Sequence, residues 1–394
     1  MRFFVRSLLS LSIFTALIVP GCREGMVPAA PAPESHREWN DIARLLGGLE
    51  PLPGSTIASA DQTADAARHR QYFAKIWGDL ETNQLVPQRK WASEKLGAQK
   101  GFVFYPFSGP DFLNIYTFFP DGKDYLMFGL EPTGEPPHLK GLTPAQVSQG
   151  LAGMQVSLRS ILNLSFFQTL HMIHDLKATR LSGVAPVLLA FVARTGHTVL
   201  SVRNVRLHAD GSMEVLPDPY GNSPAADQTN PADQKKSEDF VPGIRILFQK
   251  SGSGEISHVD YFSVDISNEA IAKKPQFFNY IRSRGPAVTY LKAASYLMYG
   301  SNFTSIRDFI LDTSNLMLQD DSGMPLAAVP KDRFDLTFYG AYTRPIPLFD
   351  AKFQPDLRLA YKNAEPLPFG IGYKWGKGES NLMLAKKKAP AAPK

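Results

Sequence analysis

Apolar positions along the chain follow two periods, and the change from one to the other marks out its elements. Between residues 37 and 95 the pattern is helical. Trp39, Ile42, Ala43, Leu45 and Leu46 form one stripe, and Ala66, Ala67, Tyr72, Phe73, Ile76, Trp77 and Leu80 form another behind the acidic start Asp61 and Asp65. From Gly101 the period shortens. Phe102-Val-Phe-Tyr105 reads as a buried strand, Phe112 to Phe119 as a short helix introduced by Ser108-Gly-Pro-Asp111, and Asp124 to Leu130 as a second apolar strand after the Asp121-Gly122 turn. Such a β–α–β unit implies a parallel sheet covered by helices.

Further along, Thr143-Pro-Ala-Gln146 is a capping box, and Val147, Leu151, Met154, Leu158, Ile161 and Leu162 recur at helical spacing behind it. Ser165-Phe-Phe-Gln168 starts another helix, and 183–195 reads as a third. Alternation over 198–207, an Asp210-Gly211 turn and a return through 213–216 predict a hairpin. Residues 217–240 are polar and read as an exposed excursion. The runs 243–248 and 259–265 are expected to pair as strands. Helices are expected over 275–283, 287–299 and 304–313, then a strand over 315–318 and strand-like sequence from 333 to 375. The fold class implied is α/β or mixed α+β, a single globular domain with a central sheet flanked by helices, spanning 37–385. One internal echo, Leu126-Met127 with Glu131 and Pro136 against Leu316-Met317 with Asp320, Asp321 and Pro325, is compatible with a duplicated half.

The ends differ in character. Residues 1–21 carry Arg2 and Arg6 before a continuous apolar core too short to span a bilayer well, the pattern of a secretory signal peptide. Residues 22–36 are an Ala/Pro-rich tether, and 386–394 a basic disordered tail. The 394 residues carry a net charge of +5, milder once Arg2 and Arg6 leave with the signal, so nucleic acid is not an implied partner. The single Cys excludes a disulfide framework and a Cys-based zinc site.

That cysteine sits in Ile18-Val-Pro-Gly-Cys22, directly after the apolar core. The arrangement resembles the lipobox of bacterial lipoproteins, with Val19 at −3, Gly21 at −1 and Cys22 at +1, although Pro20 departs from the usual residue at −2. The resemblance implies cleavage before Cys22, acylation of its thiol and a membrane partner reached through the lipid. Arg23, in place of an Asp, implies the outer membrane. Val19 and Gly21 also satisfy the small-residue rule for ordinary secretion. From 101 to 385 the chain resembles a group of uncharacterised secreted bacterial proteins through Tyr105-Pro-Phe-Ser-Gly-Pro-Asp-Phe112, Gly129-Leu-Glu-Pro132, Leu291-Lys-Ala-Ala-Ser-Tyr-Leu-Met298 and Gln319-Asp-Asp-Ser-Gly323. That resemblance transfers no activity and no functional residues.

Chemistry is sparser. The chain holds no HExxH, GxSxG, SxxK or GxxxxGK[ST] and no complete GxGxxG, so the common signatures of metalloproteases, lipases, penicillin-recognising enzymes and nucleotide binders are missing. Two constellations stand out. His171, His174 and Asp175 fall on one side of a helix and have the chemistry of a metal site, although Phe167 on the same face and the bordering Leu170 fit interfacial histidines better. Ser108 and Asp111 follow one predicted strand, Glu131 a second, and Asp320, Asp321 and Ser322 a third. Ligands gather at the carboxyl ends of parallel strands, and close carboxylates raise one another's pKa, which suits acid–base or divalent-cation chemistry. The same residues also read as turn formers that bond their own backbone. No cofactor is implied. Two functions therefore stand: a non-catalytic envelope lipoprotein binding a small molecule or envelope component, and a hydrolase using Asp111, Glu131, Asp320 and Asp321.

Overall fold

The computed structural model describes residues 34–164, 181–217, 240–375 and 378–389. Within the unit Pro33–Lys394, ten strands form one mixed sheet. In chain order they are β1 (Phe102–Tyr105), β2 (Asp124–Gly129), β3 (Thr198–His208), β4 (Met213–Val215), β5 (Phe240–Gln249), β6 (Ile256–Ser263), β7 (Ala287–Leu291), β8 (Ser314–Gln319), β9 (Phe334–Gly340) and β10 (Asn381–Lys387). Their spatial order is β4-β3-β5-β6-β2-β1-β7-β8-β10-β9. The central five, β6-β2-β1-β7-β8, are parallel, and both flanks are antiparallel. The parallel strands are the apolar ones because helices cover both their faces, whereas the hairpins at the flanks have an outer edge in solvent.

Period-two alternation divides the sheet's side chains between two cores. Val103, Tyr105, Tyr125, Met127, Tyr290 and Leu318 point to one face, which the helices Glu34–Leu46, Ala64–Leu80, Phe112–Phe118, Pro144–Leu164 and Ala185–Arg194 cover. Phe104, Leu126, Phe128, Leu291 and Met317 point to the other, under Pro275–Ser283, Thr304–Thr313 and Pro355–Ala360. The expected capping box is formed: Thr143 N donates to Gln146 Oε1 (2.9 Å) and Gln146 N to Thr143 Oγ1 (3.3 Å). The β1–helix–β2 unit and the two antiparallel pairs β3/β4 and β5/β6 also stand where the pattern puts them.

Four expectations need correction. Residues 287–299 are not a helix: Ala287–Leu291 is β7, buried along its whole length, and only Ala293–Tyr299 coils, as a 3-10 turn. A strand buried on both faces shows no alternation, and its small residues imitate a helical stripe. The 333–375 stretch holds one strand, β9, because Pro345, Pro347, Pro355, Pro366 and Pro368 break the backbone into short turns. The first helix begins at Glu34, inside the expected tether. β10 runs to Lys387, two residues into the expected tail, since Lys386 and Lys387 complete the ladder opposite Asp335 and Phe334.

The two central βαβ units run in opposite directions. From β1 the chain crosses through Phe112–Phe118 on one face to β2; from β7 it crosses through Thr304–Thr313 on the other face to β8. The strand order thus reverses between β1 and β7, and a reversal of this kind opens a crevice at the carboxyl ends of the two strands.

Candidate functional site

Asp111 and Lys292 meet at that reversal. Asp111 follows β1, and Lys292 is the first residue after β7. Their Nζ–Oδ2 distance is 2.7 Å, with side-chain exposures of 1% for Lys292 and 2% for Asp111. The backbone leading to each is unusual. Phe107 (φ 58°) and Ala293 (φ 60°) are the non-glycine residues of positive φ among the described residues, and they lie just past β1 and β7 respectively. Each left-handed turn costs about 1–2 kcal/mol, and strain of this sort collects where a fold must aim a side chain.

Asp111 is fully engaged. Its Oδ2 also accepts from Tyr105 Oη (3.0 Å), and its Oδ1 accepts from Asn114 N (3.3 Å) and Nδ2 (2.8 Å), capping the following helix. It is therefore placed to hold Lys292 and has no lone pair directed at a substrate proton. Asp320 is the carboxylate with an unsettled charge. Its Oδ1 accepts from Ser322 N (3.0 Å) and from Ser322 Oγ. Its Oδ2 lies beneath Gly372 (φ 59°), where a Cβ would strike that oxygen and come within 3.6 Å of Lys292 Cγ. Burial, then the neighbouring charge of Asp321, push the Asp320 carboxyl up to about 7; the Ser322 hydrogen bonds and Lys292 offset this only in part. Asp321 accepts from Tyr296 Oη (2.8 Å) and Asn381 Nδ2 (3.2 Å) and lies 3.7 Å from Lys374 Nζ.

Two buried polar atoms of this group have no hydrogen-bond partner: Tyr290 Oη and Asn381 Oδ1. Tyr290 is the penultimate residue of β7. Burial, then the charges of Asp111 and Asp320, hold its phenol well above its ordinary value. It therefore remains a donor at any physiological pH. A buried donor with nothing to bond costs about 1–3 kcal/mol, an outlay that a bound oxygen atom would recover.

The structure thus gathers Asp111, Asp320, Asp321 and Ser322 around Lys292 and Lys374, and engages Glu131 and Ser108 with other partners. Glu131 lies on the opposite side of β1, where its Oε2 accepts from Tyr261 Oη (3.0 Å) and its carboxylate packs over Gly109 and Gly129. Ser108 Oγ is spent on backbone, 2.8 Å from Gly109 O and 3.3 Å from Phe128 O. His171, His174, Asp175 and Cys22 lie outside the described residues. Among the described residues no group of three His, Cys, Asp or Glu side chains is arranged for a metal ion. His258 sits 3.0 Å from Asp124 beside Arg245 and Arg284. The aromatic residues serve as packing: Trp39, Trp91, Tyr339, Tyr342 and Tyr361 are all buried.

Sequence reading missed Lys292, Tyr290, Gly372, Lys374 and Asn381. One signal was available for the first two. A lysine closing the apolar run Ala287-Val-Thr-Tyr-Leu291 is costly to bury and therefore implies a buried anion opposite it. Neither a protein-family model nor a curated protein matches the chain.

Proposed function

We propose that this protein is a hydrolase whose proton-transfer centre is Asp320 beside the Asp111–Lys292 pair, exported and held at the outer-membrane or periplasmic face through an acylated Cys22. One observation carries the catalytic part: a carboxylate near neutrality, beside a buried ion pair, at the point where the parallel strand order reverses. Holding a ligand needs no group poised between two protonation states, whereas transferring a proton at neutral pH does. This favours the enzyme over the binding protein.

In this reading ionised Asp320 takes a proton from a water attacking the acyl carbon and returns it to the departing alcohol or amine as the acyl–heteroatom bond breaks, leaving the carboxylic acid; Ser322 fixes the Asp320 carboxylate plane. Lys292 and Tyr290 face the oxygen on which negative charge develops; both are donors that need no reorganisation. Asp111 is a positioning residue that holds the ammonium in place. Lys292 acts as a fixed point of charge, its Nζ held 2.7 Å from Asp111 Oδ2. The export signal delivers the folded unit, and fatty chains contributing about 0.8 kcal/mol per buried methylene keep it at the membrane.

The test is turnover of a panel of acyl esters and amides by wild type and Asp320→Asn. Wild-type kcat should rise with pH through an apparent pKa near 7, and the variant should lose roughly 100-fold or more in kcat with KM little changed. Full activity in Asp320→Asn, or no turnover of any panel member by wild type, would reject the proposal.

A further inference from the structure

We propose that the outer surface of residues 344–362 docks on an anionic lipid bilayer. Prolines 345, 347 and 355 cut this stretch into short turns, each with one side anchored. Phe349 stacks on Tyr296 at 4.2 Å, and Leu357 and Tyr361 are buried. Between these anchors large apolar groups are left in solvent: Leu348 is 79% exposed, Leu359 71% and Phe353 40%. Four cations are interleaved with them. Arg344, Arg358 and Lys362 are exposed and Lys352 half-buried, its Nζ 5.8 Å from the Tyr299 ring centroid. None of the four side chains forms an ion pair among the described residues. Asp350 and Asp356 share the surface, so the stretch keeps a positive balance.

The occupant follows from this combination. A second copy docking on the same patch would set the four cations against themselves, because a two-fold contact repeats each surface on both sides. Three apolar tips also fall far short of the area that a stable protein interface buries. A bilayer with anionic headgroups suits both features: apolar tips enter the boundary between headgroup and acyl chain, while the basic side chains meet phosphates. The surface is continuous with the candidate site, since Phe349 packs on Tyr296, whose hydroxyl bonds Asp321, and Lys374 Nζ donates to Arg344 O (2.6 Å). The proposal depends neither on the catalytic reading nor on acylation.

Co-sedimentation tests it, using the chain from Pro33 onward, which holds all ten strands and both cores. That chain should pellet with phosphatidylglycerol-containing vesicles, release in high salt and ignore vesicles of phosphatidylcholine alone. Leu348→Asp with Leu359→Asp should cut the partition coefficient roughly tenfold, with the circular-dichroism spectrum and Tm unchanged because both leucines are exposed. Arg344→Gln with Arg358→Gln should remove much of the salt-sensitive part. Equal binding by the leucine variant, binding indifferent to headgroup charge, or a dimer in solution that the leucine variant abolishes would each overturn the proposal.

Discussion

Buried titratable side chains make the stability of this protein pH-dependent in two opposed windows. His69 Nε2 donates to Leu46 O (3.0 Å), and His197 accepts from Ser251 N (3.1 Å); burial lowers both imidazoles to about 4. Both are therefore neutral in the folded chain at pH values where the unfolded chain is protonated. Stability is complete above the unfolded value of 6.5 and falls as pH drops toward 4, by on the order of 3 kcal/mol for each histidine. Asp320 works in the other direction. Its folded pKa lies above the unfolded 3.8, so the folded state binds the extra proton and stability falls as pH rises from 3.8 toward 7. Asp320→Asn should therefore raise the urea midpoint at pH 8, by up to about 4 kcal/mol in free energy, and leave it little changed at pH 4. A variant destabilised at pH 8 would mean that Asp320 is a satisfied structural carboxylate. At this scale Asp111, Asp320, Asp321 and Ser322 could be named in advance because turn-forming acids after apolar runs are visible in one dimension. Their division of labour could not: what makes Asp111 a clamp and Asp320 a titrating group is the set of neighbours each acquires from Lys292, Asp321 and Gly372.

Among elements, reading succeeded where a pattern has one interpretation and failed where burial erases it. The 102–130 unit was legible because turn signals bracket each run, and the capping box at Thr143 because its chemistry is local. β7 was not, and with it went Lys292 and Tyr290: a strand covered on both faces offers no periodicity to read. A second device joins elements at the opposite end of the sheet. Arg245 on β5 grips Asp260 on β6 with two short bonds (2.7 and 2.6 Å), and Tyr280 of the Pro275–Ser283 helix donates to the same carboxylate (3.0 Å). Arg284, just past that helix, reaches Asp124 on β2 (2.5 Å). This network pins the helix to three strands. Asp260→Ala strands the Arg245 guanidinium and should lower the free energy of unfolding by about 3–5 kcal/mol, with Asp260→Asn intermediate. Urea denaturation showing less than about 1 kcal/mol of loss, the range of an exposed pair, would exclude that role.

For the whole molecule, the proposed address and the architecture rest on different parts of the chain. Mass spectrometry of the mature amino terminus should find Cys22 first and carrying acyl groups; an intact Met1, or an unmodified start beyond residue 22, would exclude lipid anchoring. The lone cysteine, the α/β character and the strand-end acids are readable from sequence because each rests on composition or on residues a few positions apart. The reversal of strand order between β1 and β7 is of another kind. Asp111 and Lys292 are 181 positions apart in the chain, and Gly372 comes over Asp320 only after β9 and its turns have returned the backbone to the sheet. No local pattern encodes such meetings. They follow from which strand pairs with which, and that is settled by how two hydrophobic faces of a single sheet are covered at once.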